Sequence, residues 1–135
     1  FAFKDIDGIV VNSDEFKGKV LILDFWATWC LSCKKAYPVL NELSEKYGAQ
    51  GLEVIGLNTD KKKTPQQIIE YLIKNNVGYR TLMAGQSSRL AEQLEVFSMP
   101  MIYLFDRNGK LITQVIGFEA DDKAQLLKAV KKVMK

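Results

Sequence analysis

Two cysteines three positions apart are the residues of this sequence best suited to chemistry. Cys30 and Cys33 lie in the run Trp29-Cys30-Leu31-Ser32-Cys33, where an apolar segment gives way to a helical pattern. Cysteines at this spacing at a helix start approach closely enough to form a disulfide without distorting the backbone. Free backbone N–H groups and the positive end of the helix dipole favour a thiolate at Cys30, the form that attacks disulfides. The pair is therefore predicted to cycle between dithiol and disulfide.

An inert structural disulfide and half of a zinc site are the alternatives for this pair. A tetrahedral zinc site needs about four ligands, whereas the sequence holds two cysteines and no histidine. Closing so short a loop stabilises a fold little, so a purely structural bridge has little purpose here. The lack of histidine also excludes Cys-His and Ser-His catalysis and c-type haem attachment. We expect a redox pair and no metal site.

One carboxylate interrupts the most apolar segment of the chain. Asp24 lies within residues 20–26 (VLILDFW), a run that predicts a central strand buried on both faces. Burial of a carboxylate is costly unless it is paired or protonated, and it raises the pKa. From the residues alone, Asp24 is either such a buried acid or a structural carboxylate that is hydrogen-bonded or reaches the surface.

The elements that must position these residues alternate along the chain. Residues 1–13 predict a strand, an Asp-Gly turn and a second short strand. Further strands are predicted at 20–26, 52–58, 79–83, 101–105 and 110–117, and helices from about Ser32, at 65–76, at 87–95 and at 120–133. This order predicts an α/β fold of three layers, with a central mixed sheet flanked by helices and an antiparallel hairpin at its edge.

Local signals refine two of the helices. Thr64-Pro65-Gln66-Gln67 predicts an N-cap, a proline in the first turn and a capping-box glutamine. Pro38 lies inside the helix expected after Cys33 and predicts a kink there.

Composition bounds the protein to an ordinary globular class. At 135 residues, with 47% hydrophobic and 26% charged residues, the chain fits one compact domain over residues 1–135. The net charge of +3 and the scattered lysines make nucleic acid a weak candidate, and the runs at 61–63 and 128–135 are interpreted as solvated surface. No membrane span or signal peptide is apparent. The chain begins at Phe1 rather than at Met, which leaves open whether an export signal or anchor has been removed.

Residues 24–34 (DFWATWCLSCK) resemble the active-site segment of thioredoxins. The segments FKGKVLILDFWATWC and SMPMIYLFDRNGKLI, together with the additional helix and strand at 65–83, resemble the TlpA/ResA branch of extracytoplasmic thioredoxin-like proteins. The resemblance covers nearly the whole chain. It implies a thioredoxin fold with an N-terminal β-hairpin and an inserted helix and strand.

The resemblance also assigns roles to individual residues. It implies that Asp24 assists proton transfer from Cys33 when the mixed disulfide is released. It implies a cis peptide bond between Met99 and Pro100, where the residues alone would favour an ordinary trans proline at a strand start. Of the two tryptophans, Trp29 is expected at the surface, where it would contact an extended substrate segment that pairs with the backbone of Met99.

Three departures from the family pattern limit what the resemblance carries. Ala36 stands where many ResA-like proteins have a glutamate, and Gly56 where thioredoxin has a lysine near the buried acid. Leu31-Ser32 separates the cysteines instead of Gly-Pro or Glu-Pro. Because neither histidine nor proline lies between the cysteines, we expect a reducing protein. Its potential should be nearer that of thioredoxin (about −270 mV) than that of DsbA (about −120 mV).

The expected activity is thiol:disulfide exchange that reduces protein disulfides through the Cys30–Cys33 pair without a cofactor. Apocytochrome c cysteines, copper-centre cysteines and misoxidised exported proteins are candidate substrates. By resemblance to the family, a separate, membrane-embedded thiol reductant would regenerate the protein. The protein is expected to be a monomer. Its expected location is extracytoplasmic, with the cytoplasm as the alternative. The rival functions are a peroxiredoxin-like peroxidase with Thr28 beside Cys30, and a non-catalytic binding or Cu(I)-carrying module. Four further large side chains are expected to be core residues without a functional role: Tyr71, Tyr79, Met83 and Phe97.

Overall fold

A mixed β-sheet forms the frame of the computed structural model, which describes residues 1–85, 89–94 and 98–135. Over these residues the sheet has seven strands in the order β2-β1-β5-β4-β3-β6-β7. The strands are β1 (Ala2–Asp5), β2 (Val10–Asn12), β3 (Val20–Trp26), β4 (Leu52–Asn58), β5 (Arg80–Met83), β6 (Met101–Phe105) and β7 (Leu111–Ile116). The helices are α1 (Tyr37–Tyr47), α2 (Pro65–Lys74), α3 (Arg89–Gln93) and α4 (Ala120–Val133).

The central strand β3 pairs in parallel with β4 and antiparallel with β6. Its side chains alternate between two hydrophobic clusters, as the period of two in a strand requires. Ile22 and Trp26 belong to the cluster under α1, α2 and α4, whereas Leu23 and Phe25 belong to the cluster under the N-terminal hairpin and α3. Helices or loops thus cover both faces of β3, which explains its apolar sequence. The predicted three-layer α/β fold is confirmed.

Two helix starts show how local sequence sets the elements. The Thr64 hydroxyl accepts a hydrogen bond from the Gln67 N–H, and the Gln67 side chain accepts one from the Thr64 N–H, so the predicted capping box is confirmed. The predicted kink at Pro38 is wrong. A 3₁₀ turn at Ser32–Lys35 precedes α1, and Pro38 falls in the first turn of α1, where its missing N–H has no helical acceptor to lose.

The boundaries elsewhere agree with the sequence patterns within a few residues. The helix predicted at 87–95 appears as α3, and its positions 87, 88 and 95 lie outside the described residues, as does Phe97. Tyr79 is buried, while Tyr71 and Met83 are partly buried against the same cluster. Over the described residues, none of the helices combines the length and the apolar character that a bilayer crossing requires.

Gly56 on β4 lies opposite Asp24 on β3. A Cβ atom at this glycine would stand 2.9 Å from Trp26 Nε1 and 3.4 Å from Tyr79 Cε2. The indole and the phenol therefore occupy the space that a side chain at position 56 would need. This packing gives a physical reason for the glycine that replaces the lysine expected from thioredoxins.

Gly56→Ala is expected to destabilise the protein by about 1 to 3 kcal/mol, because the added methyl group must displace a packed indole. Gly48→Ala is the matched control. Gly48 has helical φ and ψ of −55° and −45° and no atom within 4 Å of the added Cβ, so its substitution should be neutral or stabilise by up to about 1 kcal/mol. Urea denaturation of the oxidised proteins measures both. Equal effects of the two substitutions would contradict the packing argument.

Candidate active site

Cys30 and Cys33 form a disulfide, with their Cα atoms 5.4 Å apart. Cys30 ends the loop that follows β3, where its N–H donates to the Ala27 carbonyl at 3.1 Å. Cys33 lies in the 3₁₀ turn Ser32–Lys35 that leads into α1. The two differ in accessibility, since Cys30 is 5% exposed and Cys33 is fully buried. The sequence spacing thus brings the two sulfurs together as predicted.

Within the described residues, two polar groups lie at the Cys30 sulfur. The Cys33 N–H donates to Cys30 Sγ at 3.2 Å, and Ser32 Oγ lies 3.6 Å from the same sulfur. This N–H donor belongs to a 3₁₀ turn, and α1 begins only at Tyr37. The expected start of an α-helix at Cys30 is therefore replaced, among the described residues, by the start of a 3₁₀ turn. Lys35 is exposed and bound to Glu119 at 2.8 Å, which partly neutralises its charge.

Asp24 is fully buried. As part of the same alternation as Ile22 and Trp26, it faces the cluster that contains Cys33. The Tyr79 hydroxyl donates to Asp24 Oδ2 at 3.5 Å, and Oδ1 has no hydrogen-bond partner among the described residues. Removal from water therefore dominates and raises the pKa of Asp24 from 3.8 to about 7, while the bond from Tyr79 opposes that rise. The predicted burial of this acid is confirmed.

Aromatic residues from α1 and α2 pack close to this acid. The hydroxyls of Tyr37 and Tyr71 are 3.0 Å apart, and Tyr71 stacks on Trp26 with ring centres 5.3 Å apart. Burial, and after it the charge of Asp24, raises the pKa of Tyr79 well above its usual value. Sequence analysis treated Tyr71 and Tyr79 as plain core and did not single out Tyr37. The three come from separate elements, and no local pattern brings them together.

The Met99–Pro100 peptide bond is cis, as the resemblance implied. Pro100 is buried and Met99 is half-buried. The Met99 carbonyl accepts a weak hydrogen bond from Ser32 Oγ at 3.5 Å, and its sulfur lies 3.3 Å from Thr59 Oγ1. The segment before β6 therefore contacts the turn between the two cysteines.

A polar network that sequence analysis missed fixes the loop before Cys30. The Asp60 carboxylate accepts hydrogen bonds from the Thr28 N–H at 2.9 Å, the Thr28 hydroxyl at 2.8 Å and the Asn58 amide at 2.8 Å. Asp60 is 7% exposed. The run Asn58-Thr59-Asp60 directly after a buried strand was the available signal, because parallel neighbours such as β3 and β4 end at the same sheet edge.

The two tryptophans have opposite environments, as expected. Trp26 is buried in the core, whereas Trp29 is 68% exposed. Leu31, on the other side of Cys30, is 77% exposed. Cys30 is thus flanked by two exposed apolar side chains.

Histidine is absent from the chain, so any metal site would depend on cysteine and carboxylate ligands. Within 1–85, 89–94 and 98–135, no three of these side chains are grouped closely enough to hold an ion.

Comparisons with known proteins agree with this geometry. The sequence model of the AhpC/TSA family matches residues 1–114. Thiol-disulfide oxidoreductase ResA of Bacillus anthracis is 32% identical over 134 residues, which are 98% of this chain and 74% of that protein. The crystal structure of a putative thiol:disulfide interchange protein DsbE from Chlorobium tepidum has a TM-score of 0.88 and 30% identity, and the match covers 100% of this chain and 93% of that one.

A more distant structure extends the likeness of fold. StoA from Bacillus subtilis has a TM-score of 0.74 and 21% identity, over 96% of this chain and 95% of that one. The thioredoxin-like fold that the sequence implied is therefore confirmed.

Asp24→Asn is expected to remove a pH dependence of stability. Because the pKa of Asp24 rises from 3.8 to about 7 on folding, the folded protein holds a proton between these values that the unfolded chain has released. The stabilising effect of this proton is complete at pH values below the pKa of the unfolded chain. It is lost as the pH rises through the pKa of the folded protein. From pH 5 to pH 8, the free energy of unfolding of the wild type should fall by roughly 2 to 3 kcal/mol relative to the variant.

Urea denaturation of the oxidised protein at both pH values measures this difference, since a disulfide leaves neither cysteine to titrate. Asp7→Asn is the control, because Asp7 is exposed and should keep the wild-type profile. Parallel profiles for the wild type and Asp24→Asn would contradict a buried proton on Asp24.

Proposed function

Because this chain belongs to the AhpC/TSA family of thioredoxin-like proteins and is a thiol-disulfide oxidoreductase, we propose that it reduces disulfides of exported proteins through Cys30 and Cys33. Its family implies protein disulfides as substrates and other thiol proteins as redox partners.

The asymmetry of the cysteine pair carries this proposal. Cys30 retains some exposure between the accessible side chains of Trp29 and Leu31, whereas Cys33 has none. An incoming disulfide can therefore reach the sulfur of Cys30 first. Cys33 is close enough to attack that sulfur afterwards, as the disulfide between them shows. Cys30 is the proposed nucleophile and Cys33 the resolving cysteine.

The proposed cycle balances two electrons and two protons. The Cys30 thiolate attacks one sulfur of the substrate disulfide, and the other sulfur leaves as a thiolate that takes up a proton. The Cys33 thiolate then attacks Cys30 Sγ in the mixed disulfide, closes the Cys30–Cys33 bond and releases the second substrate thiol. The protein is oxidised and the substrate reduced. A second dithiol protein must then reduce the bond again.

Asp24 is the proposed proton acceptor for Cys33. It faces the cluster that contains Cys33, and its pKa of about 7 lets it change protonation near neutral pH. The ionised carboxylate would take the Cys33 proton as that sulfur attacks and pass it to the departing substrate thiolate. Tyr79, which donates to Asp24 Oδ2, would hold the carboxyl group in place.

The environment of Cys30 supports a reducing direction. A strong oxidant depends on a stabilised thiolate in its reduced form. Here the Cys30 sulfur accepts one backbone N–H and lies near one hydroxyl, and the chain has no histidine to add a positive charge. Modest stabilisation of the thiolate leaves the dithiol ready to give up its electrons.

Trp29, Met99 and Pro100 form the proposed contact with the substrate. Trp29 offers an exposed aromatic face beside Cys30. An extended segment of the substrate would pair with the backbone of Met99, as a strand added to a sheet does, while Pro100 holds that backbone next to the cysteines. From the resemblance to the family, the protein is proposed to be an extracytoplasmic monomer. A membrane-embedded thiol reductant is proposed to regenerate its dithiol form.

Peroxide reduction is the second candidate, since the matching family model is that of AhpC/TSA. In that function the Cys30 sulfur would attack the peroxide, and the Thr28 hydroxyl would act beside that sulfur. The Thr28 hydroxyl donates instead to Asp60 at 2.8 Å, which favours disulfide exchange.

The test of direction is the potential of the Cys30–Cys33 pair, measured by Trp fluorescence in glutathione and dithiothreitol buffers, with insulin reduction on the same sample. We expect a value near about −270 mV and turnover of insulin, both lost in Cys30→Ser and Cys33→Ser. A value near about −120 mV would reverse the direction. Consumption of hydrogen peroxide much faster than by a free thiol would support the peroxidase instead.

Asp24→Asn tests the proton transfer in a single turnover with 5,5′-dithiobis(2-nitrobenzoate). Attack by Cys30 releases one coloured thiolate, and attack by Cys33 on the mixed disulfide releases the second. Near pH 7 the variant should slow the second phase by about tenfold or more and leave the first unchanged, with recovery as the pH approaches the usual thiol pKa of about 8.5. Cys33→Ser, which should release one equivalent only, assigns the phases. A second phase as fast as in the wild type would exclude this role for Asp24.

A further inference from the structure

A groove opens beside Trp29 on the side of the loop that follows β4. It has a volume of 410 Å³, and its walls are Trp29, Asp60, Lys61, Lys62, Lys63 and Gln67. Lys63 and Gln67 also line an adjacent depression of 310 Å³, together with Thr28, Glu70, Tyr71 and Lys74. The two adjacent depressions are called the channel below, and they extend from the neighbour of Cys30 along the start of α2.

The charge of this channel is predominantly positive. Four lysines line it against two carboxylates, Asp60 and Glu70. Asp60 is buried and already accepts three hydrogen bonds, and Glu70 accepts one from Gln66. In the described part of the chain, none of the four lysines forms an ion pair. Their ammonium groups are therefore available to a charged molecule in the channel.

The segment that carries the lysines is fixed at both ends. On one side Asp60 holds the loop through Thr28 and Asn58. On the other side the capping box of Thr64 and Gln67 starts α2. The side chains of residues 61–63 are exposed. Sequence analysis interpreted this run as plain solvated surface, but the fold places it in the wall of a groove that includes Trp29.

We infer that this channel binds the acidic flank of the substrate segment whose cysteine reacts with Cys30. The inference rests on the proposed function and names its substrate class: protein disulfides with aspartate or glutamate near the reactive cysteine. The Trp29 face would contact the apolar part of the segment, and the lysines its carboxylates. Charge complementarity at a partly enclosed surface accelerates encounter and selects partners.

The test compares the oxidation of the reduced protein by peptide homodisulfides that differ only beside a central cysteine, Glu-Glu against Gln-Gln. In 20 mM NaCl, we expect a second-order rate constant about tenfold higher for the acidic peptide. The ratio should approach one in 500 mM NaCl, where screening lengths fall to a few ångströms. Tryptophan fluorescence follows the reaction.

Two triple variants with the same change in net charge separate local from overall attraction. Lys61→Gln/Lys62→Gln/Lys63→Gln should bring the ratio of the two rate constants to within about twofold of one. Lys128→Gln/Lys131→Gln/Lys132→Gln, on the distant α4, should keep the tenfold ratio. A wild-type ratio near one, or an equal loss in both variants, would overturn the inference. Failure of the protein to react with either peptide would instead overturn the proposed function itself.

Discussion

The parallel register between β3 and β4 determines where the chemistry of this molecule lies. It sets Asp24 beside Gly56 and ends both strands at one sheet edge, so that the loops after them meet. There Asp60, after β4, holds Thr28, after β3, and with it the start of the turn that carries both cysteines. The sulfur pair is therefore positioned by the sheet through one buried carboxylate, and the 3₁₀ turn that holds Cys33 contributes one N–H to the Cys30 sulfur.

The burial of Asp24 lowers the stability of the fold locally. A carboxyl group with one weak donor, and with no partner for its other oxygen among the described residues, is a poor core residue, and an apolar side chain of similar size would pack better there. The neighbouring aromatic side chains exclude water, and Gly56 gives them the room to do so. The same exclusion brings the pKa of the acid into the neutral range, as the proposed proton transfer requires.

The sequence was sufficient for the features that depend on local pattern. The strand around Asp24, the cap at Thr64 and the disulfide spacing follow from periodicity and from the chemistry of single residues. The cis peptide bond before Pro100 could be predicted only from the resemblance to a family, because no local sequence pattern distinguishes a cis from a trans bond there. The polar network at Asp60 and the tyrosines near the buried acid were not predicted, because each of them joins side chains from different elements through tertiary contacts. Pro38 was misjudged because the turn before it uses 3₁₀ geometry.

The exposed segment of residues 61–63, which consists of three lysines, has a further consequence for how such a protein can diversify. Its ends are held by residues that belong to the sheet edge and to the helix cap, and its own three side chains take no part in the core. Substitutions at these three positions leave the sulfur pair and its buried acid untouched. On the proposed role of these lysines, partner choice and disulfide exchange depend on different residues of one small fold, so a lineage can acquire new clients by changing the first set while the second stays constant.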